Sequence, residues 1–213
     1  MDKSIITIKQ AHSIENVISK SRFIAYIKPV STENEAKAFI DEIKTKHKDA
    51  THNCSAYTVG PEMNIQKAND DGEPSGTAGI PMLEILKKQE IHNVCVVVTR
   101  YFGGIKLGAG GLIRAYSGAV RDVIYDMGRV ELREAIPVTV TLDYDQTGKF
   151  EYELASTTFL LREQFYTDKV SYQIDVVKNE YDAFIDFLNR ITSGNYDLKQ
   201  EDLKLLPFDI ETN

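Results

Sequence analysis

The chain is 213 residues long, 42% apolar and 27% charged, with a formal net charge of −7. That balance suits a globular protein of one domain or two small ones and argues against a disordered or fibrous chain. No apolar run reaches the length of a membrane span and the opening MDKSIITIKQ has no apolar signal core, so the expected location is the cytoplasm.

Taken in order, Ser4–Lys9 and Arg22–Lys28 read as strands. Thr32 with Glu35 three residues on is a capping box, opening a helix whose inward stripe is Ala36, Phe39, Ile40, Ile43 and His47. Asn53–Gly60 is a third strand, followed by a polar loop from Gly60 to Thr77, long for a compact domain and of a kind that is usually functional or mobile. Pro81 marks the first turn of a helix expected to pack through Ile80, Leu83, Ile85 and Leu86. The run Val94–Val98 is too short and too β-branched for a helix and reads as a strand buried on both faces. A second loop holds Gly103, Gly104, Gly108, Gly110 and Gly111. The helix after it has the apolar stripe Leu112, Ile113, Tyr116, Ala119, Val120, Val123, Ile124 and Met127, with Gly128 as its C-cap.

Val130–Arg133 adds an edge strand, and 134–137 reads as the boundary between domains spanning 1–135 and 136–213. Beyond it come strand 138–143, helix 148–156, strands 161–166 and 170–177 about a turn at 167–169, helix 180–191 and strand 203–208. This β-α-β-β-α-β series is the ferredoxin-like order, and the second helix is expected to bury Tyr181, Phe184, Ile185 and Leu188. The charge divides unevenly. Residues 1–136 carry 18 Lys and Arg against 17 Asp and Glu, a net of +1, whereas residues 137–213 carry 7 against 15, a net of −8. A nucleic-acid surface is therefore expected on the first domain.

Strand, glycine loop and helix start together expose backbone N–H groups to an anion. The Gly103 to Gly108 spacing suits a P-loop, but Ala109 and Gly110 stand where Lys and Ser or Thr are needed, and no G-x-G-x-x-G fits. The expected site is instead a phosphate or RNA face made by the five glycines with Arg100, Lys106 and Arg114. In the polar loop, Asp70, Asp71 and Glu73 suggest a magnesium site, flanked by the hydroxyls of Ser75 and Thr77. A solvated turn also explains Asp71, Gly72 and Pro74, and a third reading pairs the acids with Arg100, Lys106 or Arg114 and pins the two loops together. His52, in ATHNCSAY, reads as a hydrogen-bonded histidine at a strand start, and Cys54 and Cys95 as buried small hydrophobes. Tyr101, Phe102 and Tyr116 serve equally as core or as stacking platforms.

The blocks DDGEPSGTAG at 70–79 and VTRYFGGIKLGAGGLIRAY at 98–116 resemble the signature of the IMPACT family in its bacterial, YigZ-like branch. The resemblance implies an α+β chain: a domain like domain 2 of ribosomal protein S5, followed by a ferredoxin-like domain similar to the last domain of elongation factor G. Eukaryotic members restrain a kinase of translation initiation through an upstream RWD domain, which is not expected here, so that mechanism is not carried over.

Two functions remain in view. The first is a translation-associated regulatory or binding protein, with no catalytic residue, whose glycine-rich face contacts RNA, the ribosome or another phosphate-bearing partner. The second is an enzyme acting on a phosphorylated small molecule, with magnesium on the acidic loop and Arg100 and Arg114 clamping phosphate. It lacks an evident nucleophile or base, since Ser75 and Thr77 have no histidine nearby in sequence. Close packing of glycines and structural ion pairs is the bland alternative to both.

Overall fold

The computed structural model describes residues 5–210, which fall into two compact units: one holds the chain to Glu131 and again from Asp209, the other Leu132–Phe208. The first unit runs β1 (Ile5–Thr7), β2 (His12–Ile18), β3 (Ser21–Pro29), α1 (Glu33–Lys46), β4 (His52–Val59), β5 (Ile65–Asn69), α2 (Gly79–Lys88), β6 (Val94–Tyr101) and α3 (Gly108–Met127). Strands β2 to β6 form one antiparallel sheet in the order β2-β3-β6-β4-β5.

The β-branched run 94–98 lies at the centre of that sheet. Successive side chains of a strand point to opposite faces. Val94, Val96 and Val98 accordingly pack with Met82 and Leu86 of α2 and Tyr116 and Val120 of α3, while Cys95 and Val97 pack with Ala36, Phe39 and Ile43 of α1. Burial of each such apolar side chain stabilises the fold by about 1.5–3 kcal/mol. The doubly covered strand is thus a rigid post, and its end at Arg100 and Tyr101 is where both glycine-rich loops meet it. At the start of α1 the expected box forms: Glu35 N–H donates to Thr32 Oγ1 (3.2 Å), and Glu35 Oε2 accepts from Ser31 N–H (2.7 Å).

Four expectations change in this unit. Strand β2 was not foreseen. The long polar loop contains β5, an edge strand paired to β4, so the true loop is shorter. In α2 it is Met82 that is buried, whereas Ile80 is 56% exposed, because the helix turns that residue away from the sheet. Finally, α3 begins at Gly108, four residues before its apolar stripe, so most of the glycine cluster forms the first helical turn.

The second unit comprises β7 (Val130–Leu142), α4 (Tyr144–Leu154), β8 (Leu160–Tyr166), β9 (Val170–Val177), α5 (Tyr181–Thr192), β10 (Asp197–Gln200) and β11 (Lys204–Asp209). Strand β7 runs unbroken through 134–137, where a linker was expected. The antiparallel order β10-β7-β9-β8 with α4 and α5 is the ferredoxin-like arrangement. Its fourth strand is β10, not the foreseen 203–208 segment, which is an additional strand, β11, on β7. Val138, Val140, Tyr172 and Ile174 pack there against Phe150, Phe184 and Leu188. Among the described residues no helix is long and apolar enough to cross a membrane.

Candidate phosphate-binding face

The acidic loop turns its charges inward, each to a different task. Asp70 reaches the start of α2, where its carboxylate accepts from the backbone N–H groups of Gly76 (2.8 Å), Ala78 (3.1 Å) and Gly79 (2.8 Å). Burial raises its pKa, but the three backbone donors outweigh burial and hold it below the usual carboxylate range. Asp70 therefore serves α2 as a resident anion where Ala78 offers no side-chain cap. Asp71 has a positive φ of 45°; its carboxylate accepts from Lys44 Nζ (2.6 Å) and Asn53 N–H (2.7 Å), and its carbonyl faces His52 Nδ1 (2.8 Å). A carbonyl only accepts, so His52 carries its proton on Nδ1 and turns Nε2 toward Glu73 Oε2, 3.8 Å away.

Glu73 is 8% exposed, and its Oε1 accepts from both Arg100 Nη1 (2.6 Å) and Tyr116 Oη (2.8 Å). A buried carboxylate in this position needs its cation, because an unpaired charge out of water is costly. This is the third of the sequence readings, realised by Glu73 and Arg100 alone: the pair ties the acidic loop to the end of β6. Arg100 is 5% exposed and lies against the rings of Phe23 and Phe102, so it is not on a phosphate face beside Lys106 and Arg114 as expected. The magnesium expectation meets the same obstacle. Asp70, Asp71 and Glu73 do not converge, and among the described residues no group of three His, Cys, Asp or Glu is placed to hold a metal ion. Thr77 is buried with its hydroxyl donating to the Pro74 carbonyl (2.6 Å), and Ser75 is exposed. Cys54 donates to the Asp70 carbonyl (3.0 Å), and burial pushes its thiol up to about 12, so it is no nucleophile at neutral pH.

The second loop is built differently. A Cβ on Gly103 would sit 2.0 Å from the Lys20 carbonyl oxygen, so only glycine allows β6 to pass the β2–β3 turn, and Gly103 N–H is held by Ser21 Oγ (3.2 Å). Past that clamp the chain opens: Gly104 (φ 84°) and Gly108 (φ 70°) have left-handed backbones with empty space where a side chain would stand. Gly110 is exposed and Gly111 rests on Leu107. The helix start has neither a side-chain cap nor an acid in its first turn.

Cations occupy that start instead. Lys106 lies two residues before it, next to the N-cap Leu107, and Arg114 of the second turn folds back so that its Nη1 lies 3.9 Å from the Cβ position of Gly110. Both side chains are exposed, and neither has an ion-pair partner among the described residues. The N-terminal end of a helix is its positive end, where a cation is disfavoured by about 0.3–1 kcal/mol. Helix α1 follows the usual rule, with Glu33 and Glu35 first and Lys44 and Lys46 last; α3 has no charge in its first turn, and the nearest charged side chains are the cations Lys106 before it and Arg114 after it.

A family model described as "Impact N-terminal domain" matches residues 19–124, and one described as "Domain of unknown function (DUF1949)" matches residues 140–195. The chain is 50% identical over 203 residues to "IMPACT family member YvyE" of Bacillus subtilis, covering 95% of this chain and 94% of that protein. It is 38% identical to "IMPACT family member YigZ" of Escherichia coli, over 63% of this chain and 67% of that one. A crystal structure described as that of a hypothetical protein is 29% identical with a TM-score of 0.60, covering 95% of this chain and 99% of the other.

Proposed function

The chain belongs to the IMPACT family, and from that premise we propose that it is a translation-associated regulatory protein that binds RNA or the ribosome through phosphate contacts at the start of α3. One observation carries the phosphate part: two exposed cations, without an ion-pair partner among the described residues, stand beside the uncapped first turn of a 20-residue helix. The arrangement is unfavourable on its own and becomes favourable once an anion arrives to share those N–H groups and cations. The neighbouring acidic block does not oppose it, because the carboxylates of Asp70, Asp71 and Glu73 are all turned to internal donors. The translation part is supported by family membership.

Binding of the full chain to cellular RNA and to ribosomes, followed against salt, tests the reading. Affinity falls steeply as salt rises, because each neutralised phosphate releases condensed counterions, and Lys106→Ala flattens the slope by roughly one unit or less. Arg114→Ala weakens binding across unrelated sequences without loss of thermal stability. Absence of binding at low salt, or lost stability in place of lost binding, rejects the reading.

A further inference from the structure

We propose that Phe102 is a stacking platform for an unpaired base, so that this face takes single-stranded rather than duplex RNA; the inference rests on the phosphate-binding reading above and names the form of its ligand. Of the three aromatic residues that lie nearest the glycine loop, Tyr116 is core at 0% exposure, and Tyr101 is tied by its hydroxyl to His47 Nδ1 (2.8 Å). Phe102 is open, at 47%, whereas the more exposed Tyr125 lies at the far end of α3, away from the loop. It is nevertheless held in place. Its N–H donates to Thr51 Oγ1 (3.0 Å), the next residue is the clamped Gly103, and the Arg100 guanidinium lies 5.5 Å from the ring centroid.

The support under the ring is itself fixed, since Arg100 is buried and bonded to Glu73. A ring anchored on an arginine, with half its surface in water, offers a preordered π-face at little cost in side-chain entropy. One exposed phenylalanine is unremarkable. This one leads into the loop that carries Lys106, four residues on and therefore no more than roughly 14 Å away even with the chain extended. The surface thus combines an aromatic face with cations that have no ion-pair partner among the described residues, the pairing that single-stranded nucleic acid fits through base and backbone together. A duplex keeps its bases stacked on one another and presents only phosphate and sugar, so it would use the cations and leave the ring idle.

Fluorescence anisotropy of the full chain at low salt, with a U12 strand, an A12 strand and a 12-base-pair RNA duplex as probes, tests the proposal. Phe102→Ala is expected to weaken single-strand binding by about 5- to 150-fold, the range of base–aromatic stacking, and to leave duplex binding unchanged. Phe102→Leu, which keeps the apolar bulk without the π-face, is expected to bind like the alanine variant, and Phe102→Trp like the parent or tighter. Single-strand binding retained by Phe102→Ala or Phe102→Leu overturns the proposal, as does equal loss on strand and duplex. In those cases the phosphate reading survives if Lys106→Ala and Arg114→Ala still weaken binding. A parent that binds no RNA, or binds only anionic lipid vesicles or acidic peptides, rejects both.

Discussion

Helices α2 and α3 lie against the same face of one sheet, each follows a glycine-bearing loop, and neither has a side-chain cap from its own N-cap residue. At α2 the chain supplies the missing anion itself, since Asp70 spans three backbone donors. At α3 it supplies none and adds Lys106 and Arg114. Two helix starts with the same electrostatic need are thus treated in opposite ways, one closed by a resident carboxylate and one kept open. The difference separates a loop built for stability from a loop built for a visitor.

The largest expected effect lies on the closed side. Glu73→Ala leaves Arg100 buried without its carboxylate and Tyr116 without its acceptor, and should destabilise the protein by about 3–5 kcal/mol in urea unfolding. Glu73→Gln, which keeps the shape, should cost less; a loss under about 1 kcal/mol for the alanine variant would mean that the two loops are not pinned by this pair.

Next in size is Asp70→Asn, which exchanges a charged acceptor of three N–H groups for a neutral one at a cost of about 2 kcal/mol. Because the folded pKa of Asp70 is depressed, its contribution is complete above the unfolded value and is lost as pH falls through the folded one. Part of the parent's acid-side loss of stability should therefore be missing in Asp70→Asn, and identical pH–stability curves would remove Asp70 from the role assigned to it.

The smallest effect is the most discriminating. Ala109→Glu places an acid in the exposed first turn of α3 and should raise stability by about 0.5 kcal/mol while abolishing RNA binding. A variant that is both more stable and still able to bind would show that this helix start is not reserved for an anion.

Much of this was legible in the residues. The capping box at Thr32 and Glu35, the doubly buried strand and the βαββαβ order, apart from the identity of its last strand, rest on local patterns that survive in the structure. What escaped depended on partners far along the chain. Strand β2 hides its alternation because two of its inward positions are polar, His12 and Asn16, which reach Asp126 (2.6 Å) and Asp122 (3.2 Å) on α3 instead of packing. Strand β5 is an exposed edge with no apolar face to announce it. Helix α2 is apolar on too many sides for spacing alone to choose Met82 over Ile80. At the site, the acids and cations were visible as types, but their pairing was not: Glu73 finds Arg100 across 27 residues, and only the fold brings them together.

The clamp at Gly103 also divides the molecule in time. The amides of Gly76, Ala78 and Gly79 are bonded to a carboxylate that cannot leave without opening the loop, so their hydrogen exchange should require that larger event although they lie at the edge of a helix. The first amides of α3 face solvent and should exchange on the fast clock of a fraying terminus. The boundary between the two regimes should fall at Gly103, which is packed close against the Lys20 carbonyl and held by Ser21 Oγ. A bound strand would therefore slow exchange in one helical turn and leave the rest of the unit as it was.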